Sequence, residues 1–255
     1  MALFTDGFPS SMDELTAQDS QLLTVASVEG IDVTQKLALA QEQLGIELSE
    51  ALDRLAMTGP FFWTIEEPQK LNRVVVTLPL RLWHTYRTLE LVYADAYNSQ
   101  LNDRYAAKRD QFEKMGARAY EQLMGAGIGI NLTPIPRAAS PSLAAAAGSL
   151  PDGTYYVTAS WVNGAGQEGA CAEMGSIATA SSSFSAQTGR IPEGVTGWNV
   201  YAGADPSAMT LQNAAPIAPG TVWVQPSTIS TTGRRPGNGQ KPNYLQPAPR
   251  MIQRG

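Results

Sequence analysis

The chain of 255 residues and 27.3 kDa exceeds the usual domain length of about 100 to 150 residues, which predicts two modest domains. Its hydrophobic fraction of 43% is ordinary, but its charged fraction of 16% falls below the usual value of about 25%, so much of its polarity resides in Ser, Thr, Asn, Gln and Gly. The single Cys171 excludes an internal disulfide and a cysteine-based zinc site, and the apolar stretches are too short and interrupted for a bilayer span of about 20 residues.

Charge is unevenly distributed. Residues 1–130 hold 11 Lys/Arg against 18 Asp/Glu, a net of −7, and residues 131–226 carry a net of −3. Residues 227–255 hold Arg234, Arg235, Lys241, Arg250 and Arg254 with no acid, a net of +5. A short basic end on an acidic body predicts a docking arm for an acidic partner, since a nucleic-acid site generally needs a basic folded face. Met1 is followed by no basic, apolar and small-residue series, which predicts a protein made in the cytoplasm.

The first 130 residues carry helical periodicity. Asp13 is placed to cap a helix running to about Val28, with Leu15, Leu22 and Val25 on one face. Asp32, with Gln35 as capping-box partner, begins a second helix whose Val33, Leu37, Ala40, Leu44, Leu48, Ala51 and Leu55 advance in steps of four and three, with Gly45 as a local weak point. Gly59, Pro60 and Pro68 then punctuate a loop holding Phe61, Phe62 and Trp63, followed by the extended run Val74, Val75 and Val76. Thr77 and Pro79 suit the start of a third helix, along which Leu82, Tyr86, Leu89, Tyr93 and Ala96 form a stripe. Unbroken to Leu123 it would exceed 40 residues against a mean of about 11 or 12, so a break is expected at 98–103. The pattern resumes with Tyr105, Phe112, Met115, Ala119 and Leu123, laced outside by Arg109/Glu113 and Asp110/Lys114 pairs, and ends at Gly125, Gly127 and Gly129.

Residues 131–149 read as a Pro/Ala/Ser linker. Beyond it, strand candidates at 154–162, 170–180, 183–187, 197–203, 209–212 and 221–224, separated by turn signals, predict a small antiparallel β-sandwich over 150–226. The fold class expected is α+β in two domains, with an extended tail at 227–255 that has no fold of its own.

Two stretches resemble a known family. The segment WHTYRTLELVYADAYNSQLNDRYAAKRDQFEKMGARAYEQL, residues 83–123, and within it AYNSQLNDRYAAK, resembles the helical core of head-tail adaptor (connector) proteins of tailed bacteriophages. LPDGTYYVTASWVNGAGQEG with the later GWNVYAG is similar to the fibronectin type III or immunoglobulin-like modules of virion proteins. The resemblance implies a non-enzymatic structural protein of the particle neck, with no cofactor. It would form a ring homo-oligomer, of twelve copies under the portal protein, that contacts tail or neck proteins and passes genomic DNA through its channel, with no membrane partner. It also implies ring or helical-core contacts at Tyr93, Tyr97, Asn102, Asp103, Arg104 and Tyr105. The tail residues Arg234, Arg235, Lys241, Tyr244, Leu245, Arg250, Met251, Ile252 and Arg254 would dock on the portal or a neighbouring copy. The alternative is a virion-surface immunoglobulin-like module that binds a host receptor or holds host glycans on the exposed aromatics of the sandwich.

Residues able to carry chemistry are few. His84 is the only histidine, so neither a histidine metal cluster nor a Ser-His-Asp triad with a spare base can be assembled, and beside Trp83 and Tyr86 it reads as structural. Cys171 reads as a small hydrophobe in a strand. Glu66 and Glu67 are adjacent carboxylates that rarely converge on one substrate. Asp95, Asp103 and Asp110 share a helical face with Arg104, Lys108 and Arg109, which favours ion pairing over a metal site. The run GAGIGI lacks the Lys-Ser/Thr of a phosphate loop, the Asn131 sequon has no secretory route, and Trp161, Trp198 and Trp223 read as core before sugar platforms.

Overall fold

The computed structural model describes residues 2–58, 71–101, 103–237 and 239–246. Glu66 and Glu67, the aromatics Phe61, Phe62 and Trp63, Asn102, and the tail residues Arg250, Met251, Ile252 and Arg254 lie outside them. The described residues are mixed helix and sheet, with five α-helices in the N-terminal half and antiparallel sheets in the C-terminal half, and none of these helices is long and apolar enough to cross a membrane. The chain divides into two compact units, Gly7–Ile130 with Pro242–Gly255, and Asn131–Lys241 with Met1–Asp6.

The helical unit begins with two short helices where the sequence predicts one, α1 Met12–Gln18 and α2 Leu22–Glu29. The first cap is Ser11 rather than Asp13: its hydroxyl accepts from the Glu14 N–H, and the Glu14 carboxylate accepts from the Ser11 N–H at 2.8 Å. Asp19 separates the helices because its Oδ1 accepts from the Gln21 N–H at 3.1 Å, a local bond that competes with helix continuation. Gly30, at φ 68°, closes α2. Helix α3, Val33–Thr58, starts at the expected Asp32, whose carboxylate accepts from the N–H groups of Thr34 and Gln35, and runs through a buried Gly45. Helix α4, Leu78–Gln100, follows its cap Thr77 and ends at Leu101 in the left-handed region, inside the expected break. Helix α5, Asp103–Ala126, returns along α4.

One apolar cluster joins Leu15, Leu22 and Ala26 to Val33 and Leu37, to Leu89, Val92 and Tyr93, and to Phe112, so that α4 lies among all the other helices. On the outside, Arg109 departs from the expected pairing with Glu113 and bonds the adjacent Asp110 at 2.7 Å while lying over the Tyr97 ring. Past α5, Gly127 takes φ 97° and its N–H caps the Leu123 carbonyl at 2.8 Å. The chain then forms β1, Ile128–Ile130, where a Cβ on Gly129 would stand 2.8 Å from Thr77 Cγ2. The glycine run therefore both ends a helix and starts a strand.

In the second unit, β2 Ser142–Ala146, β5 Ser183–Gln187 and β8 Trp223–Val224 form one sheet in the order β2-β5-β8. The strands β3 Gly153–Asn163, β4 Gly175–Thr179, β6 Val195–Gly203 and β7 Thr210–Leu211 form another in the order β4-β3-β6-β7. Alternation along β3 sends Tyr155, Val157, Ala159 and Trp161 into a core shared with Phe184 and Ala186 of β5 and Trp198, Val200 and Ala202 of β6.

Two expectations are corrected. The segment 131–149 is no simple linker: it contains β2, paired along its length with β5, and buries Ile135 and Ala138 in the sheet core. Small residues disguised it, because Leu143, Ala144 and Ala145 fill a mostly exposed edge strand and show no alternation. Nor are the described parts of 227–255 without structure. Gln240 is buried and its side chain bonds the Ile135 N–H and the Thr133 carbonyl, the Leu211 N–H donates to the Arg234 carbonyl, and β9, Asn243–Leu245, pairs antiparallel with β1. Hydrogen bonds hold this segment, and they leave no apolar period in a sequence.

Candidate functional site

Among the described residues, polar groups gather in several places. In the helical unit the first centres on Asp19, buried between α1 and α2. Its Oδ2 accepts from the Tyr93 hydroxyl at 2.5 Å and from the Lys108 ammonium at 3.2 Å, and that ammonium also lies 5.5 Å from the centre of the Phe112 ring. Burial pushes the Asp19 carboxyl up, but the bonds from Tyr93, the Gln21 N–H and Lys108 outweigh it and hold the group below its ordinary value. Burial and the neighbouring carboxylate together raise the Tyr93 phenol.

Around it, Arg104 bonds the Gln21 side chain at 2.6 Å and the Tyr105 hydroxyl bonds Glu29 at 3.0 Å. The structure thus brings Tyr93, Arg104 and Tyr105 together against the α1–α2 segment, whereas Asp103 is exposed and Tyr97 is half-buried under Arg109. Of the acids predicted on one face, Asp95 pairs with Lys36 at 2.7 Å and Asp110 with Arg109, and Lys108 turns inward to Asp19.

His84 is fully buried on α4. Its Nδ1 and Ser10 Oγ are 2.6 Å apart and its Nε2 lies 3.1 Å from the Leu37 carbonyl, so a neutral ring with the proton on Nε2 donates to Leu37 and accepts from Ser10. Burial is the main cause that pushes its pKa down to about 4. The unfolded chain therefore binds a proton between about pH 6.5 and 4 that the folded one refuses. His84 contributes stability that is full above about pH 6.5 and lost as pH falls toward 4, about 3 kcal/mol in all. Urea unfolding of the native chain at a series of pH values is expected to trace that loss, and His84→Gln is expected to flatten it.

A second place is a pocket of about 250 Å³ between α3, α4 and α5, lined by Glu47, Trp83, Arg87, Glu90, Glu113, Gly116, Ala117 and Tyr120. The sequence reading did not single it out, because its residues come from three helices and form no motif. The third place is in the sheet unit. Glu168 stands over the face of the β4-β3-β6-β7 sheet opposite the core, where its Oε1 accepts from Ser160 of β3 and from Asn199 and Tyr201 of β6, the last at 2.6 Å. Arg234 reaches its Oε2 at 2.6 Å and covers the Tyr201 ring, so this tail residue is engaged within its own unit. Burial raises the Glu168 carboxyl, but these four partners outweigh it and keep the group ionised below its ordinary value. Nearby Cys171 is pushed up to about 11, by burial first and then by Glu168, which leaves it a protonated, unreactive thiol at neutral pH.

The remaining tail residues within the described region, Arg235, Lys241 and Tyr244, are exposed, while Leu245 is half-buried in β9. Trp161 and Trp198 are core, and Trp223 packs half-buried against Phe184. The described residues contain no cluster of three or more His, Cys, Asp or Glu able to hold a metal ion. Comparison with protein-family models finds no match, and comparison with curated proteins finds none either.

Proposed function

We propose that the chain is a structural protein of a tailed-bacteriophage particle, the head-to-tail adaptor whose copies form a ring between portal and tail around the DNA exit channel. The observation that carries this reading is the fate of residues 83–123, the stretch that resembles the adaptor core. It forms the α4–α5 pair, with α1, α2 and α3 packed onto α4. Such a body supplies complementary heterologous faces, the kind of contact that closes a ring.

In the same reading the sheet unit is an appended β-sandwich of the immunoglobulin or fibronectin III type. The pairings support it. In chain order, β2 to β7 fill the B, C, C′, E, F and G positions of such a module: β2 pairs with β5, β3 with β4 and β6, and β6 with β7. The segment 227–255, with five Lys/Arg and no acid, meets the portal, and its Arg235 and Lys241 are exposed.

The test is attachment of the purified chain to DNA-filled heads that lack a neck. The expected result is saturable binding that raised salt slows, and that Arg235→Ala with Lys241→Ala weakens without unfolding the protein. A folded chain that binds neither heads nor isolated portal counts against the proposal.

A further inference from the structure

The pocket between α3, α4 and α5 has a composition that selects its occupant. Three helices deliver three carboxylates to it, Glu47, Glu90 and Glu113, against the single cation Arg87 among the described lining residues. Arg87 is committed: its Nη1 bonds both oxygens of Glu90 at 3.1 Å and its Nη2 bonds Glu47 at 2.9 Å. One wall is aromatic, with the rings of Trp83 and Tyr120 4.9 Å apart and inclined at 58°. The cavity, about 250 Å³, falls just short of the roughly 300 to 1,000 Å³ of pockets for drug-sized ligands, a size suited to one long side chain.

We propose that this pocket receives an arginine side chain presented by a partner protein. The excess of carboxylates repels anions and attracts a cation. A guanidinium group is weakly hydrated, planar and able to lie on an aromatic face while its N–H fork meets a carboxylate, whereas an ammonium must give up a tighter hydration shell. Glu113 on α5 is the carboxylate that the incoming group meets, since Glu47 and Glu90 are already bonded to Arg87, and the Arg109 that acts on Glu113 at a distance is bonded to Asp110. Tyr120 and Trp83 flank the stem. The site stands on the pocket alone and does not depend on the adaptor reading.

The experiment is a titration of the ¹⁵N-labelled full chain, read at the indole N–H of Trp83, which is identified among the five tryptophan signals by its loss in Trp83→Phe. The probes are arginine blocked at both ends by acetyl and methylamide groups, the equally blocked citrulline, which is similar in shape but uncharged, and free arginine. The blocked arginine is expected to shift the Trp83 signal in a saturable manner, and the citrulline compound to bind at least about tenfold more weakly. Glu113→Gln and Tyr120→Leu, each with its other indole signals unchanged, are expected to weaken the arginine compound about tenfold. An unshifted Trp83 signal, equal response to arginine and citrulline, or unchanged affinity in Glu113→Gln would overturn the site. Tighter binding of free arginine than of the blocked compound would overturn the partner side chain as its occupant.

Discussion

Leu89→Asp is expected to unfold the helical unit. Leu89 has no solvent exposure and sits on α4 in the cluster shared with Leu15, Leu22 and Phe112, so the new carboxylate would replace apolar contacts and find no partner. Loss of the leucine side chain alone costs about 2 to 5 kcal/mol, and burial of an unpaired polar group adds several more, against a total domain stability of about 5 to 15 kcal/mol. Leu44→Asp, at a position equally buried on α3, is expected to behave alike. The control is Val28→Asp on α2, where the side chain is 70% exposed and a change within about 0.5 kcal/mol is expected. Helical circular dichroism and urea midpoints measure all three. A Leu89→Asp chain that kept the native midpoint would contradict the packing described for α4.

The second large effect concerns the sheet unit, where Glu168→Leu and Arg234→Ala separate a buried acceptor from its exposed counter-ion. Glu168→Leu strands the Ser160 hydroxyl, the Asn199 amide and the Tyr201 hydroxyl, which come from residues at most 3% exposed and share one carboxylate oxygen. Each unsatisfied buried donor costs about 1 to 3 kcal/mol, so the three together are expected to cost about 3 to 9 kcal/mol. Arg234 has a side chain 54% exposed, and solvent screening limits the cost of its removal to about 1 kcal/mol or less. Thermal unfolding of the two variants is expected to order them in that way. Equal losses would mean that the ion pair, not the hydrogen-bond cluster, fastens this face.

The helices were legible in sequence wherever one apolar stripe decided them. Val33 to Leu55 advances by fours and threes and forms α3, and the break at 98–103 followed from length alone. Helix α4 was read only in part. Of its expected stripe, Leu89, Tyr93 and Ala96 are buried while Leu82 and Tyr86 are half-buried, and His84, Thr85 and Thr88 are buried as well. Those threonines hide their hydroxyls by bonding the carbonyls four residues back, Thr85 to Arg81 and Thr88 to His84, so a second buried face reads as polar.

The strands were legible where β-branched and aromatic residues cluster, as in β3, expected at 154–162 and formed at Gly153–Asn163. They were illegible where alanine and serine carry them, as in β2. The polar side of the β3–β6 pair was equally hidden, since nothing local in the sequence links Glu168 to Arg234 across 66 positions. Only the fold makes them neighbours. The helical pocket escaped for the same reason, because Glu47, Glu90 and Glu113 are separated in sequence and meet through the packing of three helices.

The adaptor reading is tested most directly by a cryo-EM density map of the neck in particles that carry this protein. The expected result is a closed ring of helical units directly below the portal, surrounding the DNA channel, with the basic C-terminal residues against the portal. Density for the chain on the capsid surface or on fibres, with none at the neck, would contradict it.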